Sequence, residues 1–163
     1  MKNYAIILGA GSGNRFGSFK QVEKINKKPV YLYSLDVFIN TGLFSSIFLV
    51  VPKKLIKLIN EQLQSPKYKN VIICEGGSSR SQSVHNAFSK ISEENSKIFI
   101  HDAVRPLIDE KLVLELQRFS KNRKATVLAK KITETVKSVK KAKLEFTVDR
   151  DNLWIAETPQ VFD

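Results

Sequence analysis

The chain has 163 residues, of which 42% are apolar and 26% are charged, so we expect one domain with a packed core and exclude a disordered or fibrous protein. Its 27 Lys and Arg residues outnumber its 16 Asp and Glu residues, which gives a net charge of +11. This excess favours polyanionic partners, either nucleic acid or small phosphorylated molecules, although lysine-rich faces in contact with solvent would also produce it.

The single cysteine, Cys74, excludes an intramolecular disulfide bond and cannot form a thiolate metal centre by itself. It lies in an apolar run and is expected in the core. The apolar run after the basic Lys2 ends at Leu8, which is too short for a secretory signal sequence, and no stretch is long enough to span a bilayer. We therefore expect a cytoplasmic protein without a membrane partner.

Short apolar runs alternate with segments of helical periodicity along most of the chain. Strands are predicted at residues 4–8, 47–51, 71–74, 98–100 and 125–129. Helices are predicted after Pro29, from Leu55, after the Gly76-Gly77 pair and after Asp109, whose side chain is a suitable N-cap. This alternation is typical of βαβ units. It predicts an α/β fold, a Rossmann-like three-layer α/β/α sandwich around a mostly parallel sheet.

The last two of these helices have apolar residues at helical spacing. Because residues three and four positions apart share one side of a helix, these residues are expected to form its apolar face. They are Val84, Ala87, Phe88 and Ile91 in the third helix and Leu112, Val113, Leu116 and Phe119 in the fourth.

The pattern changes after Thr135. Residues 135–139 and 144–148 favour strands and are separated by a lysine-rich turn, which predicts a β-hairpin. We expect this hairpin to form an arm at about residues 133–156, attached to a single domain that covers residues 1–163.

Three segments of unusual composition directly follow predicted strands, at residues 9–20, 76–83 and 101–106. In open parallel sheets, ligands bind beyond the carboxyl ends of the strands. The order of the segments along the chain therefore brings them to one edge of the sheet and predicts one site there.

The first segment reads Gly-Ala-Gly-Ser-Gly-Asn-Arg, and its glycines allow backbone N–H groups to approach an anion closely. A dinucleotide-binding fingerprint would have glycine at the position of Asn14, and a P-loop would need Gly-Lys-Ser/Thr. Arg15 and Lys20 add two cations, which suits a triphosphate whose α-phosphorus is attacked. The alternative is an ordinary glycine-rich turn of an α/β protein.

The third segment reads His-Asp-Ala-Val-Arg-Pro and places a carboxylate and a guanidinium after a buried strand. Asp102 can hold Mg²⁺ together with substrate phosphates, and Arg105 can bind a phosphate with two hydrogen bonds. A structural ion pair between Asp102 and Arg105 is the alternative. For His101 we favour a positional role over that of a base.

The second segment contains Gly76, Gly77, Arg80 and Ser83. At a helix N-terminus these residues can form hydrogen bonds with a base and a ribose. Taken alone, the segment could equally be a polar turn between a strand and a helix.

Taken together, the motifs resemble one enzyme family. The loop Leu-Gly-Ala-Gly-Ser-Gly-Asn-Arg-Phe followed by Phe-Lys-Gln resembles the signature of the nucleotide-sugar pyrophosphorylases. The other matching motifs are Gly76-Gly77 with Arg80 and Ser83-Val84, the segment 101–106, Thr135-Val136-Lys137, Val148-Asp149-Arg150, Leu153-Trp154 and Thr158-Pro159-Gln160. In this order they cover the whole chain, which is similar to the methylerythritol-phosphate cytidylyltransferase family.

This resemblance implies that CTP and 2-C-methyl-D-erythritol 4-phosphate are joined with release of pyrophosphate, with Mg²⁺ or another divalent cation as cofactor. It implies that Arg15 and Lys20 stabilise the transition state, that Asp102 serves the metal and the substrate, and that Thr135 and Arg150 contact methylerythritol phosphate with Arg105. The residues expected at CTP are Ala10, Gly11, Ser12, Gly13, Asn14, Gly76, Arg80, Ser83 and Ala103.

The resemblance also implies a homodimer in which the arms are exchanged, so that Thr135 and Arg150 complete the site of the partner. In two respects the chain departs from the family pattern. Ser78 replaces the usual Asp after the glycine pair, and the chain ends at Asp163, whereas the family continues with a helix, an acidic segment and a basic phosphate contact. We expect a chain without that segment to be catalytically poor or inactive.

Three other functions share part of this pattern. A ribitol-5-phosphate cytidylyltransferase shares the glycine loop and the reaction, but Val148-Asp149-Arg150 with Leu153-Trp154 is more similar to the methylerythritol enzyme. A basic nucleic-acid-binding module would need stacking aromatic residues among the lysines, so no nucleic-acid partner is expected. An NAD-dependent oxidoreductase would need glycine in place of Asn14.

Overall fold

A computed structural model of the chain describes residues 1–11, 13 and 17–163; Ser12, Asn14, Arg15 and Phe16 lie outside the described residues. The strands among the described residues are β1 (Asn3–Leu8), β2 (Lys24–Ile25), β3 (Lys28–Pro29), β4 (Ser46–Val51), β5 (Val71–Glu75), β6 (Lys97–Asp102), β7 (Ala125–Lys131), β8 (Val136–Lys140), β9 (Lys143–Val148) and β10 (Trp154–Phe162). The α-helices in this part of the chain are α1 (Val30–Asn40), α2 (Ile56–Gln62), α3 (Arg80–Phe88) and α4 (Glu110–Ser120).

Six strands form the central sheet in the order β5-β4-β1-β6-β10-β7. The first four are mutually parallel, and β10 is antiparallel to both of its neighbours, β6 and β7. β7 therefore runs in the same direction as the first four strands, and only β10 is reversed. The predicted mostly parallel sheet is confirmed.

The core has one layer on each face of this sheet. Ala5 and Ile7 of β1 face a cluster that includes residues of α1, α2 and α4. Tyr4, Ile6 and Leu8 face the opposite cluster, which contains Ala87 of α3 and the predicted core residue Cys74. Because β1 is covered on both faces, its sequence is a continuous apolar run, as is typical of parallel strands between helices. The three-layer arrangement is thus confirmed.

Two of the eight residues of the predicted apolar helix faces are exposed. The Phe88 side chain is 50% exposed and that of Phe119 is 62% exposed. Ile91 lies beyond the end of α3 but packs against the core.

The buried stripe of each helix instead includes a serine. Ser83 in α3 and Ser120 in α4 are buried, and their hydroxyl groups donate to the carbonyl oxygens of Ser79 and Gln117 at 2.9 and 3.0 Å. Because these hydroxyls bond to the helix backbone, they can be buried without an unsatisfied polar group. A hydrophobicity pattern cannot detect such positions.

The strand β10 was not predicted, because Pro159 interrupts its sequence and proline cannot donate to a ladder of backbone hydrogen bonds. The Thr158–Pro159 peptide bond is cis, and the pairing of β10 with β7 shifts in register between Ala156 and Gln160. Regular pairing with β6 resumes at Gln160 and continues to Phe162. This strand lies between β6 and β7 and thereby brings residues 157–160 beside the carboxyl end of β6.

The predicted hairpin is confirmed. β8 and β9 form a two-stranded sheet of their own, and Lys140 pairs with Lys143 across a two-residue turn. The turn residues Lys141 and Ala142 both have positive φ, 48° and 61°, as two-residue turns matched to the strand twist require.

Two local features complete the fold. Asp109 caps α4 as predicted, since its Oδ1 atom accepts a hydrogen bond from the Leu112 N–H at 2.7 Å. Within the part of the chain that the structure describes, no helix combines the length and the apolar character needed to cross a membrane.

Candidate active site

A cavity of about 690 Å³ lies beyond the carboxyl ends of β1, β5 and β6. Each of the three segments singled out in the sequence contributes to its lining. The lining residues include Ala10 and Gly11 from the first segment, Gly77, Ser78, Ser79, Arg80 and Ser83 from the second, and Asp102 and Val104 from the third. The predicted convergence of the segments at one edge of the sheet is therefore present in the structure.

Backbone hydrogen bonds hold these segments beside one another where the strands end. Leu8 is the pairing partner of Asp102 in the β1–β6 ladder, and the Ala103 N–H donates to the Leu8 carbonyl oxygen at 2.8 Å. The Gly9 N–H donates to the Val50 carbonyl oxygen at 2.7 Å. The loops therefore leave the sheet in a defined register.

The first two segments touch at Gly76. A Cβ atom at this position would lie 2.2 Å from the Cβ atom of Ala10, so only glycine allows the two backbones to approach this closely. The next residue, Gly77, donates its N–H to the Ser83 hydroxyl at 3.0 Å. The Ser79 hydroxyl caps α3 by accepting from the Gln82 N–H at 3.1 Å. The positive end of the α3 dipole thus lies at the cavity.

The glycine loop is closed by contacts within its described part. Gly13 has φ of +69°, and a Cβ atom there would lie 1.7 Å from the Ser18 carbonyl oxygen, so the position requires glycine. The Gly17 N–H donates to the Gly13 carbonyl oxygen at 2.9 Å. The predicted nucleotide contacts Ser12 and Asn14 and the predicted catalytic Arg15 lie outside the described residues.

Gln21 has a role that sequence reasoning missed. Its side chain is buried, and its Nε2 atom donates to the Gly11 carbonyl oxygen at 3.3 Å. This hydrogen bond orients the backbone of the glycine loop. The available signal was its place directly after Lys20 in the Phe-Lys-Gln motif. Lys20 itself is exposed and begins a short 3₁₀ turn, Lys20–Val22.

Asp102 lies at the edge of the cavity between two arginines. Arg80 Nη2 is 3.3 Å from its Oδ1 atom, and Arg105 Nε is 3.2 Å from its Oδ2 atom. The ion pair between Asp102 and Arg105, one of the two alternatives for this segment, is therefore present, and Arg80 pairs with the other carboxylate oxygen. All three side chains are partly exposed, so these pairs contribute little to stability and can be exchanged for ligand contacts.

The residues present fit a divalent cation that binds together with phosphate groups. Among the described residues, no group of three or more His, Cys, Asp or Glu side chains could hold a metal ion alone. Mg²⁺ in phosphate sites uses one or two carboxylates and completes its coordination with phosphate oxygens and water. Asp102, with 27% of its side chain exposed, provides one such carboxylate.

His101 is a buried connector behind Asp102. The Asp102 N–H donates to the Thr158 hydroxyl at 3.3 Å, and that hydroxyl lies 3.0 Å from His101 Nδ1. The other ring nitrogen, Nε2, is 3.3 Å from the Arg105 carbonyl oxygen. Burial lowers the pKa of His101 to about 4, so the ring is neutral at pH 7. It accepts at Nδ1 and donates at Nε2, which agrees with a positional role.

The remaining predicted residues lie elsewhere. Ala103 is fully buried in the core, between two neighbours that line the cavity. Thr135 and Arg150 are exposed residues of the arm region and do not line the cavity. Arg150 Nη1 donates to the Thr133 carbonyl oxygen and so closes the base of the arm. Trp154, part of the Leu153-Trp154 motif, is 58% exposed.

A glycine-rich loop, a helix N-terminus and a carboxylate between arginines surround one cavity at the carboxyl edge of a mostly parallel sheet. This combination defines the class of α/β proteins that bind nucleotides through their phosphates.

Comparison with known proteins narrows the class. The family model for IspD, 2-C-methyl-D-erythritol 4-phosphate cytidylyltransferase, matches residues 4–163. The protein of that name from Endomicrobium trichonymphae is 39% identical over an alignment of 166 positions, which covers 99% of this chain and 74% of the relative. The one from Caldicellulosiruptor saccharolyticus is 36% identical over 169 aligned positions, which cover 99% of this chain and 73% of the relative.

Solved structures give the same result. The crystal structure of Francisella tularensis IspD has a TM-score of 0.83 at 34% identity, and the match covers 99% of this chain and 72% of that one. A 4-diphosphocytidyl-2C-methyl-D-erythritol synthase from Anaerococcus prevotii has a TM-score of 0.84 at 28% identity, covering 99% and 71%. The chain belongs to the 2-C-methyl-D-erythritol 4-phosphate cytidylyltransferase family, which confirms the predicted fold class and makes it a nucleotidyltransferase.

The buried His101 predicts a specific dependence of stability on pH. The pKa is about 4 in the folded protein and 6.5 in the unfolded chain, so the unfolded state binds more protons between these values. The contribution of the neutral ring to the free energy of unfolding is fully present above pH 6.5. It is lost as the pH falls toward 4, by about 3 kcal/mol in total. His101→Asn keeps an acceptor for the Thr158 hydroxyl but does not titrate.

The free energies of unfolding of the wild type and of His101→Asn, measured with urea at several pH values, should therefore converge as the pH falls. His85→Asn changes the only other histidine, which is exposed, and its difference from the wild type should change much less. A constant difference between the wild type and His101→Asn across this range would contradict the buried neutral ring.

Proposed function

We propose that this chain joins CTP to 2-C-methyl-D-erythritol 4-phosphate, giving 4-diphosphocytidyl-2-C-methyl-D-erythritol and pyrophosphate, in isoprenoid precursor biosynthesis in the cytoplasm. The observation that carries the proposal is the cavity, in which the glycine loop, the start of α3 and Asp102 meet within a chain matched over residues 4–163 by this family.

The reaction forms one P–O bond and breaks another. A phosphate oxygen of methylerythritol phosphate attacks the α-phosphorus of CTP, and the bond from that phosphorus to the departing pyrophosphate breaks. A phosphate monoester oxygen is already a nucleophile, so no proton has to be removed and no general base is needed. The rate then depends on positioning and on stabilisation of negative charge.

Two parts of the site suit these tasks. The N–H groups of Ala10 to Gly13 and the start of α3 are the proposed contacts to CTP, since both provide backbone donors for anionic and polar ligand atoms. Gly76, Arg80 and Ser83 are the proposed contacts to the nucleoside. Ser78 supplies a neutral hydroxyl at the cavity where the family pattern has a carboxylate.

Charge stabilisation is assigned to Lys20, to Arg15 and to a divalent cation at Asp102. A cation bound there with the CTP phosphates would neutralise charge on the transferred group and on the departing pyrophosphate. Lys20 follows directly on the loop that Gly13 and Gln21 close, so its backbone position is defined by that loop.

The alcohol phosphate is assigned to Arg105 and to the arm of a second copy of the chain. The arm has three large apolar side chains that are more than half exposed: Val139 at 58%, Leu144 at 64% and Phe146 at 59%. Exposed apolar groups concentrated on one projecting element are typical of an interface between subunits. Thr135 and Arg150 belong to this arm region, and in a homodimer with exchanged arms they would reach the cavity of the partner.

A substrate screen tests the proposal. The product of the whole reading frame would be incubated with CTP, UTP or ATP and with methylerythritol phosphate or ribitol 5-phosphate, while pyrophosphate release is followed. We expect release to be fastest with CTP and methylerythritol phosphate. Faster release with ribitol 5-phosphate would show that the alcohol substrate is ribitol 5-phosphate. The absence of pyrophosphate release from every pair would reject the proposed reaction.

Lys20→Ala should lower turnover by about 10² to 10⁴. If Lys20 acts mainly on charge that develops in the transition state, the affinity for CTP should change far less than turnover. Steady-state kinetics and calorimetric titration with CTP separate the two effects. Lys69→Ala removes the same charge from an exposed position just before the amino end of β5 and should leave both quantities near wild type. Normal turnover of Lys20→Ala would remove Lys20 from the mechanism.

Exchanged arms predict complementation between inactive variants. Arg150→Ala should impair use of methylerythritol phosphate, and Lys20→Ala should impair turnover. When the two variants are mixed and allowed to exchange subunits, each heterodimer contains one site in which both residues are intact. Activity should then recover to a fraction of the wild-type value. No recovery, although mass spectrometry of the intact complexes shows heterodimers, would contradict arm exchange.

A further inference from the structure

Arg105 is held by two carboxylates, one on each side. Its Nε atom is 3.2 Å from Asp102 Oδ2, and its Nη1 atom forms an ion pair with Glu157 Oε2. Arg80 pairs with the other oxygen of Asp102. The side chains therefore form a row of alternating charge, Arg80–Asp102–Arg105–Glu157, which crosses the carboxyl end of β6 from α3 to β10. The two positive and two negative charges of this row cancel.

The position of Glu157 is set by β10. The adjacent Thr158 is anchored to the Asp102 N–H and to His101, and the Glu157 carbonyl oxygen accepts a hydrogen bond from Gln160 Nε2 at 3.2 Å. Glu157 is therefore held on a strand and not on a free loop. Its carboxylate faces the terminal nitrogens of Arg105, the groups with which an arginine grips a phosphate.

This ion pair contributes little to the stability of the fold. The Arg105 side chain is 45% exposed and that of Glu157 is 37% exposed, and ion pairs with this degree of exposure have small net energies. The main consequence of the Arg105–Glu157 ion pair is its effect on the binding of ligands to Arg105. A guanidinium group has five N–H donors, and Asp102 and Glu157 each engage one of them. A phosphate that binds the Nη1 end of Arg105 must therefore share that nitrogen with Glu157 or displace the carboxylate.

We propose that Glu157 is a positioning residue that acts through Arg105 and lowers its affinity for the phosphate group of the alcohol substrate. The inference rests on the proposed function, because it assigns that phosphate to Arg105. In the free protein, Glu157 holds the Nη1 end of the guanidinium, and both side chains line a second cavity of about 500 Å³. On binding, the substrate phosphate competes with the Glu157 carboxylate for the same donors. The affinity of the site for the alcohol phosphate is therefore set partly by a residue outside the glycine loop and the His-Asp-Ala-Val-Arg-Pro segment.

Glu157→Gln separates charge from geometry. The amide retains an oxygen that accepts from Arg105 Nη1, but a neutral acceptor binds a guanidinium less strongly than a carboxylate and competes less with phosphate. We expect the Kd of methylerythritol phosphate, measured by calorimetry without CTP, to fall about fivefold. KM for this substrate should fall similarly, whereas kcat and KM for CTP should stay near wild type.

Glu93→Gln is the matched control. Glu93 pairs with Lys2, and its side chain is 36% exposed, nearly the same as Glu157. It lies just before the amino end of β6, whereas Glu157 lies beside the carboxyl end of this strand. The control therefore removes the same charge, from a carboxylate of similar exposure that pairs with a lysine, away from the site. Its Kd and kinetic constants should match those of the wild type.

A double-mutant cycle tests whether Glu157 acts through Arg105. The change produced by Glu157→Gln should disappear when Arg105→Ala is already present. If the change persists in that background, or if Glu157→Gln leaves the Kd unchanged or raises it, the inference is wrong. When wild-type turnover is normal, such results leave the proposed function intact. If the wild type neither binds nor converts methylerythritol phosphate, the proposed function fails and this inference fails with it.

Discussion

The pairing of β1 with β6 is the constraint on which the site depends. These strands are central in the sheet and are covered on both faces, so their register cannot shift without moving apolar side chains out of both cores. In the observed register Leu8 lies opposite Asp102. Consequently the glycine loop and the segment that carries Asp102 and Arg105 leave the sheet side by side. The contact of Gly76 with Ala10 adds the start of α3 to the same edge.

The reversed strand β10 makes the second contribution. It inserts between β6 and β7 and places Glu157 beside Arg105 and Thr158 beside His101. Thr158 connects the Asp102 backbone to the ring of His101, and the opposite side of that ring reaches the Arg105 carbonyl oxygen. Because burial keeps the ring neutral, it can accept and donate at the same time. One histidine thereby fixes the backbone on both sides of Ala103 without lining the cavity at the glycine loop.

The charge of the whole chain and the charge of the site are different quantities. The chain carries +11, which favours the approach of anionic substrates from a distance. At the carboxyl end of β6, however, two arginines are matched by two carboxylates. Binding of a phosphate there depends on how these pairs rearrange, and the overall excess of lysine does not measure it. The net charge of the chain therefore does not identify the ligand of a site, because binding at the site depends on the local arrangement of charges.

The sequence by itself determined the fold class, the positions of five strands along the chain, the cap at Asp109, the hairpin and the three segments that carry the site. These features are local, because apolar runs, glycine spacing and capping residues act over a few neighbouring positions. The family resemblance was also readable, since motifs in order along the chain carry it. Only the tertiary structure decided the course of β10 through Pro159, the buried serines of α3 and α4, and the support of Gly11 by Gln21. It also decided the pairing of Arg105 with Glu157, 52 positions apart. Each of these depends on polar partners that the folded chain brings together, and hydrophobic periodicity does not report where a polar group finds its partner.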